Sequence, residues 1–181
     1  MIGEGAIAFL LENARHADPA SILCEIAGYA STMAAYMITD PDPSGKHLAE
    51  AALLAIRDAG ITPDAIDVVD MHGTGTFKNA LAEMAAMRII FPTRYHEIPV
   101  FSLKGQIGHL IGACGAMEIL GVIDMIKNQR VLPSINCEEA DPDIPLNIVR
   151  GAPQSFAIKY VLKLNAAFGG QNTALIIKKH D

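Results

Sequence analysis

The chain has 181 residues, 51% of them hydrophobic, and its 14 basic and 20 acidic residues give a net charge of −6. No cluster of lysine and arginine could follow a phosphate backbone, which disfavours nucleic-acid binding, and no apolar run reaches the ~18 residues of a membrane helix, which disfavours membrane insertion. Residues 1–5 lack the basic and apolar regions of a secretory signal, so we expect a cytoplasmic location. The high apolar fraction indicates a surface that a partner covers.

The predicted elements alternate between strands and helices. Apolar runs and period-two alternation predict strands, and apolar residues at spacings of three and four predict helices. In chain order the elements are a strand at 6–11, a strand at 21–30, a helix at 48–59 with Ser44 as its cap, a strand at 66–71, a helix at 79–90, a strand at 100–103, a helix from about 109 to 127, and two antiparallel strands at 158–165 and 173–177. This order is typical of an α/β layered domain.

Three cysteines, at positions 24, 114 and 137, have no Cys-x-x-Cys spacing. An odd set without that spacing argues against a disulfide framework or a zinc ribbon, so we expect reduced thiols. By residue type, His72, His109 and Cys114 could form three of the four ligands of a zinc site. The predicted helix disfavours such a site, because residues five positions apart do not face each other on a helix. We therefore expect no metal.

Three polar segments follow predicted strands, which is where open α/β sheets place their ligand crevices. They are residues 71–76 (Met-His-Gly-Thr-Gly-Thr), residues 102–109 (Ser-Leu-Lys-Gly-Gln-Ile-Gly-His) and residues 168–172 (Phe-Gly-Gly-Gln-Asn). Taken singly, His72 is more often a packed core histidine and Lys104 a solvated charge. A phosphate loop at 73–76 is disfavoured, because the closing Gly-Lys-Ser/Thr is missing. Each segment alone is a weak signal.

Together and in this order, the segments resemble those of the β-ketoacyl–acyl-carrier-protein synthase (ketosynthase) family. The family has a His-Gly-Thr-Gly/Ser-Thr block, a Lys-x-x-x-Gly-His block that opens a helix of the kind Leu-x-Gly-Ala-x-Gly-Ala-x-Glu, and a terminal Phe-Gly-Gly-x-Asn. Here these are residues 72–76, 104–118 and 168–172. The resemblance covers the whole chain and implies the carboxy-terminal half of a thiolase-like, layered αβαβα fold, with a mixed sheet flanked by helices. It implies a crossover strand and linker in residues 1–20 and the ketosynthase carboxy-terminal domain in residues 21–181.

The resemblance implies a 3-oxoacyl-[acyl-carrier-protein] synthase, which condenses acyl and malonyl thioesters with loss of carbon dioxide in fatty acid or polyketide synthesis. In the family, two histidines help the thioester oxygen accept the charge that develops as carbon dioxide leaves, an oxyanion-hole role. Their counterparts are His72 and His109, and the family lysine that orients the second histidine corresponds to Lys104.

Further residues match supporting positions of the family. Glu118 corresponds to a buried glutamate, Phe168 to an aromatic gate, Asn172 to the amide of the closing loop, and Thr74 and Thr76 to the first block. No cofactor is implied, because the phosphopantetheine arm arrives on the carrier protein. The implied partners are an acyl carrier protein and either the amino-terminal ketosynthase half or a full ketosynthase subunit, in a homo- or hetero-oligomer.

The chain also departs from the family pattern. Residues 77–80 read Phe-Lys-Asn-Ala where the family usually has Pro-x-x-Asp, and Ala166 replaces a phenylalanine. The largest departure is the nucleophilic cysteine, which the family carries at the start of a helix in its amino-terminal half, where the helix dipole lowers the thiol pKa. Cys24 falls in a predicted strand, Cys114 stands at a family alanine inside a predicted helix, and Cys137 lies in a proline-flanked loop.

Several interpretations remain open. The chain is a fragment of a full synthase, one subunit of a split enzyme, or a non-catalytic partner that resembles the family's chain-length factors. The last is disfavoured, because a structural partner has no chemical need for His72, Lys104 and His109. A binding module that shares the fold is a further alternative; the synthase hypothesis requires His72, His109 and Phe168 to converge, with Lys104 near His109. We expect the isolated chain to be inactive in condensation.

Overall fold

A mixed β-sheet forms the centre of this computed structural model, which describes residues 1–139 and 141–180. In chain order the strands are β1 (Glu25–Met33), β2 (Val68–Asp70), β3 (Pro99–Phe101), β4 (Arg130–Val131), β5 (Asn147–Ile148), β6 (Gln154–Ser155), β7 (Tyr160–Ala167) and β8 (Gln171–Lys178). Six of them form the main sheet in the order β1-β8-β7-β2-β3-β5, and β4 pairs with β6 in a separate ribbon.

The strand directions divide the main sheet into two parts. β8 pairs antiparallel with both β1 and β7, whereas β2 pairs in parallel with β7 and β3, and β3 pairs in parallel with β5. The antiparallel pair of strands predicted at 158–165 and 173–177 is thereby confirmed. Helices connect the parallel strands, as parallel pairing requires a crossover.

The helices are α1 (Lys46–Asp58), α2 (Phe77–Ile90), α3 (Lys104–Ile107) and α4 (Cys114–Asn128). Helices α1 and α2 form one hydrophobic core with one face of the sheet, and α4 forms a second core with the other face. Helix α1 packs closely on the sheet at Gly28 of β1, where a Cβ atom would lie 2.2 Å from the carbonyl oxygen of Ala55 in α1. The mixed sheet flanked by helices confirms the predicted α/β class.

Strand β7 is buried on both faces. Leu162 and Leu164 belong to the core under α1 and α2, and Val161 belongs to the core under α4. Because successive side chains of a strand point to opposite faces, Lys163 faces α4. Its side chain is 1% exposed.

One predicted strand was wrong, and one predicted helix begins later than expected. Residues 6–11 form no strand, and Leu10 and Leu11 are 84% and 79% exposed. In the described part of the chain no strand pairs with this segment. Its backbone therefore lacks the inter-strand hydrogen bonds that an apolar run needs to form a strand. The helix predicted from about His109 begins at Cys114, because Gly108 and Ile111 have φ angles of 76° and 55° that a helix cannot accommodate.

Other boundaries moved by a few residues, within the usual uncertainty of helix and strand ends. Helix α1 begins at Lys46 with Gly45 as its N-cap, and the predicted cap Ser44 accepts a hydrogen bond from the Lys46 N–H at 3.3 Å. The short helix α3 was not predicted. No helix within residues 1–139 and 141–180 combines the length and apolarity needed to cross a membrane.

Candidate active site

His72 lies directly after β2, and its main chain is held from two sides. Its N–H donates to Glu83 Oε1 at 2.6 Å, and the next N–H, of Gly73, donates to Glu83 Oε2 at 2.9 Å. Its carbonyl oxygen accepts a hydrogen bond from Lys104 Nζ at 2.5 Å. Gly73 has a φ of 53°, and a Cβ there would lie 2.4 Å from the Ser102 Cβ, so the turn that presents His72 requires glycine.

His109 lies between α3 and α4 in an extended conformation, paired with the first residues of the chain. Its N–H donates to Met1 O and its carbonyl accepts from Gly3 N, both at 3.0 Å. Its Nδ1 accepts the N–H of Ile111 at 3.0 Å. Because Nδ1 is an acceptor, the neutral ring carries its proton on Nε2. Ile111 makes this bond from a left-handed backbone conformation that is unfavourable for a β-branched residue.

The two imidazoles are neighbours. Their ring centroids are 5.7 Å apart and the planes are nearly perpendicular, at 83°. Burial, and then the charges of Lys104 and Lys163, lower the pKa of His72 to about 3. Burial, and then Lys104, also lower the pKa of His109. Both rings are therefore neutral at pH 7, and each can donate one N–H to a developing negative charge.

Cys114 lies closer to His109 than the sequence predicted. Its Sγ atom is 3.2 Å from His109 Nδ1 and accepts the Leu110 N–H at 3.0 Å. The expectation of a poor facing geometry was wrong, because His109 precedes the helix and is free of its periodicity. Within the described residues, no group of three or more His, Cys, Asp or Glu side chains is arranged to hold a metal ion.

A row of buried charges runs from the sheet to His72. Lys104 Nζ contacts Glu118 Oε1, Lys163 Nζ lies 2.7 Å from Glu118 Oε2, and Lys163 Nζ lies 3.5 Å from Asp70 Oδ2. We refer to Asp70, Lys163, Glu118 and Lys104 as the ion chain. Burial raises the pKa of Glu118, but the charges of Lys163 and Lys104 outweigh it and hold the pKa below its usual value. The Glu118 carboxylate is thus ionised between two lysines.

The role implied for Lys104 differs in detail from its contacts. The family resemblance implies that it orients the second histidine, His109. In the structure its Nζ donates to the His72 carbonyl and to Glu118, so it holds the first histidine through the main chain. It acts on His109 through its charge, which contributes to the lowered pKa of that ring.

The segment at 168–172 forms a tight turn between β7 and β8. Phe168 is 76% exposed, and within the described residues its ring pairs with neither imidazole. The turn is fixed by hydrogen bonds from Gly169 N to Ile38 O and from Ala34 N to Gly170 O, both 2.7 Å, and by Asn172 Nδ2, which donates to Gly170 O at 3.1 Å. The structure therefore brings together His72, His109 and Lys104 but leaves Phe168 at the surface, so the convergence expected of a synthase is found for the histidines and not for Phe168.

The two threonines of the first block lie on the loop that enters α2. Thr74 Oγ1 and Thr76 Oγ1 are 3.1 Å apart. Thr76 occupies the N-cap position of α2 without a side-chain capping bond. Thr74 is half-buried and Thr76 is exposed.

Comparison with known proteins identifies the family. Residues 23–138 match the family described as "Beta-ketoacyl synthase, C-terminal domain". The chain belongs to the β-ketoacyl synthase family. Among curated relatives, it is 36% identical over its full length to a 3-oxoacyl-[acyl-carrier-protein] synthase 2 of Staphylococcus aureus and 34% identical over 99% of its length to one of Synechocystis. The chain spans only 44% of the length of each of these relatives.

Solved ketosynthase structures share the fold. A type II polyketide synthase carrier protein in complex with its ketosynthase aligns over 88% of this chain with a TM-score of 0.85 and 33% identity, covering 39% of that chain. A β-ketoacyl synthase from Burkholderia phymatum aligns over 88% with a TM-score of 0.82 and 37% identity, covering 38% of that chain. These similarities confirm the predicted carboxy-terminal half of a thiolase-like ketosynthase fold.

Three buried charged residues of this ketosynthase domain were missed by the sequence analysis. Glu83 accepts hydrogen bonds from the main chain of His72 and from the Asn79 amide. It places an acidic residue near residues 77–80, where this chain lacks the aspartate of the family pattern. Its signal was the i, i+4 pair with Asn79 on an apolar helix. Asp70 and Lys163 gave no comparable signal, because each interrupts a strand whose second buried face only the packing reveals.

Proposed function

We propose that this chain supplies the decarboxylation site of a 3-oxoacyl-[acyl-carrier-protein] synthase. The observation that carries the proposal is the pair of adjacent, neutral imidazoles of His72 and His109, with ring centroids 5.7 Å apart and one ring fixed as the Nε2–H tautomer. Two such donors suit an oxygen that becomes negatively charged during the reaction.

In the proposed reaction, the carbonyl oxygen of a malonyl thioester accepts hydrogen bonds from both imidazoles. As the bond to the carboxylate breaks, carbon dioxide leaves and its electron pair forms an enolate whose oxygen stays on the two N–H donors. The enolate carbon then attacks an acyl thioester, which forms the new carbon–carbon bond and releases the thiolate that held the acyl group. Low histidine pKa values favour this role, because the rings donate hydrogen bonds without carrying charge.

The acyl-bearing cysteine comes from outside this chain in our proposal. Cys114 is 3% exposed and lies against His109, which leaves no room for a thioester on its sulfur. The partners we propose are the amino-terminal ketosynthase half, which supplies the thiol, and an acyl carrier protein, which delivers the malonyl group. Residues 1–20 are then the linker to that half, consistent with the exposure of Leu10 and Leu11.

A second candidate is a non-catalytic partner subunit. One solved neighbour, with a TM-score of 0.84 and 30% identity over 93% of this chain, is a ketosynthase/chain length factor complex. The hydrogen bonds that Glu83 and Lys104 make to the main chain of His72, and the fixed tautomer of His109, favour the catalytic assignment. A subunit that only shapes a tunnel needs neither.

The test compares carbon dioxide release from malonyl carrier protein by the purified chain, alone and combined with a cysteine-bearing amino-terminal half. We expect release and condensation only in the combination. His109→Ala abolishes both, and His96→Ala, at a histidine whose side chain is 53% exposed, serves as the matched control. Condensation by the chain alone, or undiminished release by His109→Ala, would reject the proposal.

A further inference from the structure

Lys163 stands beside Asp70 at the centre of the sheet. The two residues are register partners on the parallel strands β7 and β2, and both side chains lie on the face covered by α4. Each is at most 1% exposed. Neither oxygen of Asp70 makes a hydrogen bond with a described residue, and its nearest cation is Lys163, at 3.5 Å.

The other contacts of Lys163 lead toward the active site. Its Nζ donates to the Leu164 carbonyl at 2.7 Å and lies 2.7 Å from Glu118 Oε2, which also accepts from Asn165 Nδ2 at 3.2 Å. The second oxygen of Glu118 contacts Lys104, whose Nζ binds the His72 carbonyl. Lys163 therefore lies between the two acids Asp70 and Glu118, and Glu118 lies between the two lysines Lys163 and Lys104.

A buried ion chain is a costly way to stabilise a fold. Removing charges from water carries a desolvation penalty, and apolar side chains of the same volume often stabilise a core equally well. One lysine would be enough to pair Glu118. The second lysine, Lys163, has a role if it binds one oxygen of the Glu118 carboxylate and thereby directs the other oxygen toward Lys104.

We propose that Lys163, held by Asp70, is a positioning residue of the active site, which fixes Glu118 so that Lys104 binds the main chain of His72. This inference rests on the proposed function for its catalytic consequence. The charged groups that face Lys163 come from three elements, namely Asp70 on β2, Glu118 on α4 and, through Glu118, Lys104 on α3. Glu83, on α2, is the remaining buried acid at His72.

Removal of Lys163 has two expected effects on His72. Glu118 draws Lys104 away from the His72 carbonyl, and a positive charge disappears near the ring. Because Lys163 is one of the charges that lower the pKa of His72, its loss raises the proton affinity of that ring roughly tenfold.

The experiment follows the histidine ring titrations of the purified chain by NMR. We expect the pKa of His72 to rise in Lys163→Met and to stay at the wild-type value in Lys179→Met, at an exposed lysine after β8. The double variant Lys163→Met/Asp70→Asn removes both charged groups of the pair, so that the Asp70 carboxylate is not left buried without a cation. Unfolding of both Lys163 variants, or wild-type titrations in the folded ones, would overturn the proposal and make the pair structural.

In the assembled synthase, the same variants are expected to lower the decarboxylation rate about tenfold or more, with the KM for malonyl carrier protein changed less than about twofold. The ring titrations use no substrate. An assembled wild-type enzyme that releases no carbon dioxide thus rejects the proposed function alone, whereas unchanged titrations reject the positioning role alone.

Discussion

The Sγ atom of Cys114 lies 3.2 Å from Nδ1 of His109, beneath a surface that leaves the cysteine 3% exposed. Cys114 should therefore react with thiol reagents more slowly than Cys24 and Cys137, which are both partly exposed. Burial, and then the charge of Glu25, raise the pKa of Cys24, so Cys137 should react first.

Alkylation rates of the three single-cysteine variants measure this order. Denaturant should remove the difference, because the protection of Cys114 depends on the fold. Rapid alkylation of Cys114 in the native chain would contradict the prediction, and would also identify an internal source for the thiol that we assign to another half.

Glu118 is the centre of the ion chain, and its charge should be essential for stability. Glu118→Gln leaves Lys104 and Lys163 facing a neutral amide in a site that is 0% exposed, which should lower the free energy of unfolding by about 3–5 kcal/mol. The control on the same helix is Asp124→Asn, whose pair with Arg130 is exposed and is worth less than about 1 kcal/mol. Urea unfolding measures both variants. Equal effects would show that the ion chain has no special role in stability.

Asp70 makes a specific contribution to the pH dependence of stability. Burial raises its pKa from 3.8 to about 7, so the folded chain binds this proton more tightly, and the stability gained at low pH is lost as the pH rises toward about 7. His72 contributes in the opposite sense. Its pKa is lowered from the usual 6.5 to about 3, so the folded chain resists protonation and loses stability as the pH falls below about 6.5. The two contributions partly cancel in the wild-type chain.

The variant Asp70→Asn separates these contributions. Relative to wild type, its free energy of unfolding should increase by on the order of 1–3 kcal/mol between about pH 5 and about pH 8. Asp64→Asn, at an exposed aspartate, should show no such trend. Urea unfolding at several pH values measures the difference, and a difference that does not change with pH would refute the assignment to Asp70.

Two neighbouring glycines of the turn at 168–172 form a matched pair. Gly169 and Gly170 both have a φ of 82°, but a Cβ at Gly169 meets open space, whereas one at Gly170 would lie 1.8 Å from the Ala34 carbonyl oxygen. Gly169→Ala should cost about 1–2 kcal/mol for the left-handed conformation. Gly170→Ala should cost at least about 2 kcal/mol more, because the Ala34 main chain must move. Thermal unfolding compares the two, and similar melting temperatures would contradict the packing argument.

The sequence alone was sufficient for the fold class and for the histidines. Period-two and period-3.6 patterns are local, so the strand at 160–167 and the helices at 46–58 and 77–90 could be predicted to within a few residues. His72, Lys104 and His109 stand in short motifs that resemble those of the ketosynthase family, and this resemblance implied that the three residues share one site.

Only the tertiary structure decided which charges are buried. Lys163 looks like a surface residue of an alternating strand, and its burial depends on α4 covering the second face of the sheet. The contact of Cys114 with His109 depends on the break in helical conformation at Ile111. Both features come from residues that are distant in sequence or from backbone angles that local patterns do not encode. For this reason the motifs predicted His72 and His109, and only the packing revealed the ion chain beside them.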